Sequence, residues 1–211
     1  MKVLWFLLSV WITTNCLAMS APRPAVVQSP QQWTLDVQYE QLGQITMRAE
    51  QGGELKRFWY LILTVTNNTG DEVDFYPVCE LMTDTFEITA AGVSVPPQVI
   101  ESIKTRHRGK YPFLEGLDAS GMRILQGKDN TRDIVIVWPE FDARARGVSL
   151  FISGLSNETI AVDNPAAKDN KDQAQKIFLR KTLMLDYRFS GDPAFRSEAR
   201  MTFAGESWIM R

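Results

Sequence analysis

A chain of 211 residues, 45% of them hydrophobic, is long enough to bury one core or at most two, and too apolar to stay disordered. Its 23 Lys and Arg against 25 Asp and Glu leave a formal charge of −2, which excludes the basic footprint of a nucleic-acid binder and strong attraction to anionic lipid. With only two cysteines, Cys16 and Cys79, a disulfide-rich scaffold is excluded as well.

The N-terminus opens on Met1-Lys2 and an apolar stretch over 3–12, turns polar at Thr13-Thr14-Asn15 and reaches the small Ala18. A positive charge, a short apolar core and a small residue make a secretory signal over 1–18, with cleavage after Ala18. The stretch is shorter than the ~20 residues a membrane span needs. No later stretch is long enough, so no transmembrane span is expected in the mature chain, which is placed in the periplasm or at the cell surface. A second reading stays open at Cys16: cleavage before it, with acylation, would make a membrane-attached lipoprotein. Thr13-Thr14-Asn15 is a poor match to that signal. If Cys16 leaves with the signal, Cys79 is the sole remaining cysteine and no internal disulfide forms. Cys79 then reads as a small buried hydrophobe or, more sharply, as a reactive or intermolecular thiol.

Residues 19–32 hold Pro22, Pro24 and Pro30 among small and polar residues and read as a linker. A single domain is expected over 33–211. Trp33, Leu35, Val37 and Tyr39 alternate with polar residues, the period of a strand. Ile45, Met47 and Ala49 repeat it before a Gln51-Gly52-Gly53 turn. The clearest strand is 58–66, with Trp59, Leu61, Leu63 and Val65 on one face and Tyr60, Ile62 and Thr64 on the other. Asn67-Asn68-Thr69-Gly70 closes it with a turn. A return strand starts at Val73 and stops at Pro77, and another strand is expected over 81–88. Pro96-Pro97 opens the one expected helix, 97–105, in which Val99 and Ile103 stand four apart. An irregular stretch follows over 106–120, then a strand over 122–125 and a turn over 126–130. The run 134–138 is continuously apolar and reads as a strand covered on both faces. Strands are expected at 148–153, 177–189, 201–203 and 208–210, and an exposed loop over 163–175. Many short strands, frequent turn signals and almost no helix give an all-β fold, an immunoglobulin-like antiparallel β-sandwich with one short helix. A barrel is the alternative.

Several stretches carry a resemblance. They are Tyr60-Leu61-Ile62-Leu63-Thr64-Val65-Thr66-Asn67-Asn68-Thr69-Gly70, the run from Leu125 to Asp133, Phe151-Ile152-Ser153-Gly154-Leu155-Ser156-Asn157-Glu158, Arg180-Lys181-Thr182-Leu183 and Trp208-Ile209-Met210-Arg211. With these the chain resembles an uncharacterised family of exported proteins from planctomycete-type bacteria. The resemblance implies a compartment and no mechanism. More loosely, the chain is similar to bacterial immunoglobulin-like secreted domains, which supports the fold alone.

The chemistry-bearing residues are sparse. The densest basic run holds Lys104, Arg106, His107, Arg108 and Lys110, either a solvated loop or a surface for an anionic partner. His107 is the only histidine, which argues against a zinc site, and no metal or cofactor is expected. Cys79 and His107 could formally make a dyad, but nothing near Cys79 resembles an activating setting. Asn67, Asn68, Asp71, Glu72 and Asp74 gather oxygen ligands without the spacing of a calcium loop. Glu140 and Asp142 follow Trp138-Pro139, where paired acids and an aromatic could serve a sugar. Trp138 and Trp208 are the candidate carbohydrate-binding rings. The sequence thus points first to an exported, non-catalytic envelope or periplasmic module, structural or binding an envelope protein or polysaccharide. Second comes a carbohydrate-binding module using an exposed tryptophan, and third an enzyme.

Overall fold

The computed structural model describes residues 31–48, 53–119, 123–168, 175–191 and 200–211. The expected signal 1–18, most of the linker 19–32, the start of the Gln51-Gly52-Gly53 turn and Met122 fall outside them. The strands are β1 (Asp36–Tyr39), β2 (Gly43–Arg48), β3 (Leu55–Thr66), β4 (Val73–Asp74), β5 (Val78–Thr83) and β6 (Ile88–Ala90). After the helix α1 (Pro97–His107) come β7 (Glu115–Gly116), β8 (Arg123–Ile124), β9 (Arg132–Pro139), β10 (Gly147–Ser153), β11 (Thr159–Asp163), β12 (Lys176–Ser190) and β13 (Arg200–Met210). Short 3-10 turns at Leu117–Ala119, Lys128–Asn130 and Pro165–Lys168 fill parts of the connections.

Two antiparallel sheets dominate. In the first, β1 and β2 lie in succession along β3, which pairs β9 on its other side. Beyond β9 lies β7, the one parallel neighbour. In the second, β12 carries β13 along one edge and β10 followed by β11 along the other. The backbone fixes this arrangement: Arg180 N–H donates toward Arg211 on one side and Lys181 N–H toward Glu158 on the other. β10 continues to β5 and β6, while β4 and β8 form a separate small pair.

The period of two explains the core. In β3, Trp59, Leu61, Leu63 and Val65 face the second sheet and pack with Ile134, Ile136 and Trp138 of β9 and with Leu81, Leu150, Ile152, Leu183 and Leu185. Burying each of these large side chains stabilises the fold by about 1.5–3 kcal/mol. The alternate residues Phe58, Tyr60 and Ile62 of β3, with Val135 and Val137 of β9, form a second cluster capped by Val99 and Ile103 of α1. The 134–138 run is therefore apolar throughout because α1 covers the face the other sheet does not. Proline at the first helical turn and Lys104, Arg106 and His107 in the last suit the helix dipole.

The all-β sandwich expectation holds, with α1 the single α-helix among the described residues. Boundaries differ where tertiary pairing outweighs local pattern. The helix runs two residues beyond 105. The strand expected at 81–88 is β5, 78–83, followed by a turn. The closing pieces 201–203 and 208–210 are one strand, continuous through a register shift opposite Asp186/Tyr187. The supposed irregular stretch 106–120 contains β7, and β11 pairs residues that carried no strand expectation.

Candidate functional site

The basic run is anchored to the protein at most of its positions. Lys104 pairs with Glu101 at 2.9 Å, and Arg106 donates to the Gln44 carbonyl at 3.1 Å. Lys110 and the Tyr111 hydroxyl both donate to Glu40 Oε1. Those two donors hold the Glu40 carboxyl below its ordinary range. His107 Nε2 lies 2.9 Å from the Tyr60 hydroxyl, the two rings edge to face. Burial, then the nearby Arg106 charge, push the imidazole below its ordinary value. Arg108 is exposed, and its side chain has no partner among the described residues. The cluster pins the end of α1 to β3 and the β1–β2 connection.

The tryptophan expectation needs correcting at Trp138. Its ring is 0% exposed between the sheets, because β9 points residues 134, 136 and 138 inward, so it offers no face to a sugar. Trp208 stands opposite Leu183 at the sheet margin and is 38% exposed, with Lys181 Nζ over its ring at 5.3 Å. Lys181 also pairs with the buried Glu158 and touches Thr34 Oγ1 at 3.1 Å. This set ties the chain near Trp33 to the β10–β11 link.

Most of the carboxylates singled out in the sequence likewise have partners within the chain; Asp71 is exposed and contributes only its backbone carbonyl. Asn67 is fully buried: its amide donates to the Asp71 and Ile124 carbonyls, and its Oδ1 accepts from Thr69. Glu72 and Asp74 flank Arg123, and Asn68 donates to Asp36. Glu140 pairs with Arg57 at 3.0 Å and accepts from Trp59 Nε1 at 3.0 Å. Asp142 is clamped by Arg144, whose hydrogen bonds hold the carboxyl well below the usual range. Cys79 is buried in the inter-sheet core, and burial pushes its thiol up to about 12. His107 stands on the α1 side of β3, so the two cannot meet as a dyad.

A different site emerges on the outer face of the second sheet. Register aligns Met82, Ser149 and Asp186 in one row across β5, β10 and β12. The next row is Asp84, Gly147 and Arg188, joined by the Asp84 N–H to Gly147 carbonyl bond at 3.0 Å and the Gly147–Arg188 pairing. Glycine leaves that row without a central side chain; an added Cβ would lie 3.0 Å from Arg188 Nη1 and 3.3 Å from the Tyr187 carbonyl. The result is a groove of about 230 Å³. Ser149 Oγ donates to Asp186 Oδ1, and Asp84 accepts from the Arg146 N–H at 3.0 Å. The Arg188 guanidinium is exposed and without a partner among the described residues.

Phe86 stands at the mouth of this groove. The β5–β6 hairpin has a three-residue loop, Asp84-Thr85-Phe86, closed by the Phe86 N–H to Thr83 carbonyl bond at 3.0 Å. Such loops put their third residue in the left-handed region, where glycine is usual. Here that residue is Phe86, with φ 66° and 84% of its surface exposed. The turn is stiff: Thr83 Oγ1 bonds Thr85 Oγ1 and the Glu87 N–H, and Glu87 accepts from the Asp142 N–H at 2.8 Å. A bulky residue in a strained conformation, its ring in solvent and lining the same groove as an uncommitted arginine, is the arrangement most consistent with a site. Sequence reasoning missed it by treating 81–88 as continuous strand. The available signal was Gly147 at the head of an apolar strand, where glycine marks a close approach.

Comparison of the chain with protein-family models, with curated proteins and with solved structures finds no match.

Proposed function

We propose that this chain is an exported, non-catalytic module of the periplasm or cell surface that binds its ligand through the Phe86 groove. The N-terminal signal pattern and the resemblance to exported proteins support the compartment. One observation carries the binding role: a hydrogen-bonded turn accepts left-handed backbone strain to hold an exposed phenylalanine on the same groove as Asp84, Asp186 and the unpaired Arg188. Backbone strain of this kind clusters at ligand-binding and switch sites. The apolar ring supplies contact area, and the charged groups fix orientation.

The test is chemical cross-linking of the tagged chain in its native envelope fraction, followed by capture and identification of bound protein and polysaccharide. Enrichment of one component, lost in Phe86→Ala and Arg188→Ala, is expected. Enrichment that survives both changes but disappears when Lys104, Arg106, Arg108 and Lys110 are neutralised would move the surface to the end of α1 and overturn this reading.

A further inference from the structure

Resting on that reading, we infer that the groove takes one ring of a neutral saccharide chain. An exposed aromatic ring offers a flat apolar platform, which suits the C–H face of a sugar. Around it stand groups that match hydroxyls in both directions. Asp186 keeps Oδ2 beyond the Ser149 bond, and Asp84 has spare lone pairs beyond its Arg146 contact. Both accept from sugar hydroxyls, while Arg188 donates through a planar fork. The charges argue against an anionic ligand. An anionic sugar would face two carboxylates against one arginine, whereas the hydroxyls of a neutral sugar satisfy all three. The size sets the scale. At about 230 Å³ the groove is smaller than the roughly 300–1,000 Å³ of sites that enclose a whole drug-sized ligand. It therefore receives one unit of a chain that continues past Phe86. Gly147 is the positioning element, since any side chain there would meet Arg188 and raise the floor.

The experiment uses the full chain against soluble oligomers of glucose, mannose and N-acetylglucosamine, with polygalacturonate as the acidic probe, and reads affinity by titration calorimetry. At least one neutral oligomer is expected to bind. Phe86→Ala and Arg188→Ala are each expected to weaken it by about tenfold or more, and Gly147→Ala to weaken it similarly. Phe86→Gly, which keeps the turn unstrained, guards against a folding artefact and should lose binding like Phe86→Ala. Binding of polygalacturonate alone, or of no oligomer while a Phe86-dependent protein is still captured from the envelope, overturns the neutral-saccharide assignment and leaves the binding-module reading standing. Neutral-oligomer binding that is indifferent to Phe86 and Arg188 overturns the site and the reading together.

Discussion

Replacing Phe86 by glycine and by alanine isolates the strain on which the site rests. Both variants remove the same ring, which is 84% exposed and contributes little to packing. They differ in the backbone at φ 66°. An L-residue pays about 1–2 kcal/mol for the left-handed conformation, and alanine keeps that cost. Glycine removes it but returns about 0.5–1 kcal/mol through its freer unfolded chain. Phe86→Gly should therefore unfold about 0.5–1 kcal/mol later than Phe86→Ala, at an unchanged denaturant slope. Against the parent chain, Phe86→Gly should lie within about 0.5 kcal/mol, since the roughly 0.5–1 kcal/mol of relieved strain offsets the loss of a ring that buries only about a sixth of its surface at roughly 25 cal/mol per Å². Urea unfolding followed by tryptophan fluorescence reads both comparisons. An alanine variant as stable as the glycine one would refute the strain. A loss above about 1 kcal/mol in the glycine variant would show that the ring packs structurally.

Lys181→Met strands the buried Glu158 carboxylate, a change worth about 2–4 kcal/mol given the lysine's partial exposure. Adding Glu158→Gln should recover most of that loss, and a double variant no better than the single would refute the pairing. Trp138→Ala opens a void between the sheets and should cost about 3–5 kcal/mol by chemical denaturation. His107 is held below its ordinary value in the fold, so the unfolded chain binds the proton more tightly. Its stabilisation should accordingly be present above the ordinary histidine pKa and be lost as pH falls through the lowered folded value. Unfolding free energies across that window, compared with His107→Gln, check this; an unchanged pH profile in the variant would refute it.

The sandwich was legible in the sequence because its core strands obey strict alternation. Trp59, Leu61, Leu63 and Val65 announce one face of β3, and the unbroken apolar run 134–138 announces a strand covered twice. The helix was legible from Pro97 and the Val99–Ile103 spacing, although its last turn is held by the His107–Tyr60 contact, which no local pattern encodes. β11 was illegible because its residues are mostly exposed and its pairing with β12 is decided across a long connection. The site was illegible for a sharper reason. Phe86 is a strong strand former, so Thr83-Asp84-Thr85-Phe86 reads as strand although its backbone turns. Asp84, Ser149, Asp186 and Arg188 converge only through strand register. Conversely, Trp138 seemed available because an aromatic next to Pro139 and Glu140 looks like the end of a strand, whereas β9 carries it into the core.

The most direct test places a photo-cross-linking amino acid at position 86 in the native cell and, as control, at the exposed position 129 on the other sheet's turn. Irradiation of intact cells should yield a discrete adduct from position 86 and none from 129. Equal labelling at both positions, or none at 86, would contradict a binding module that works through the Phe86 groove.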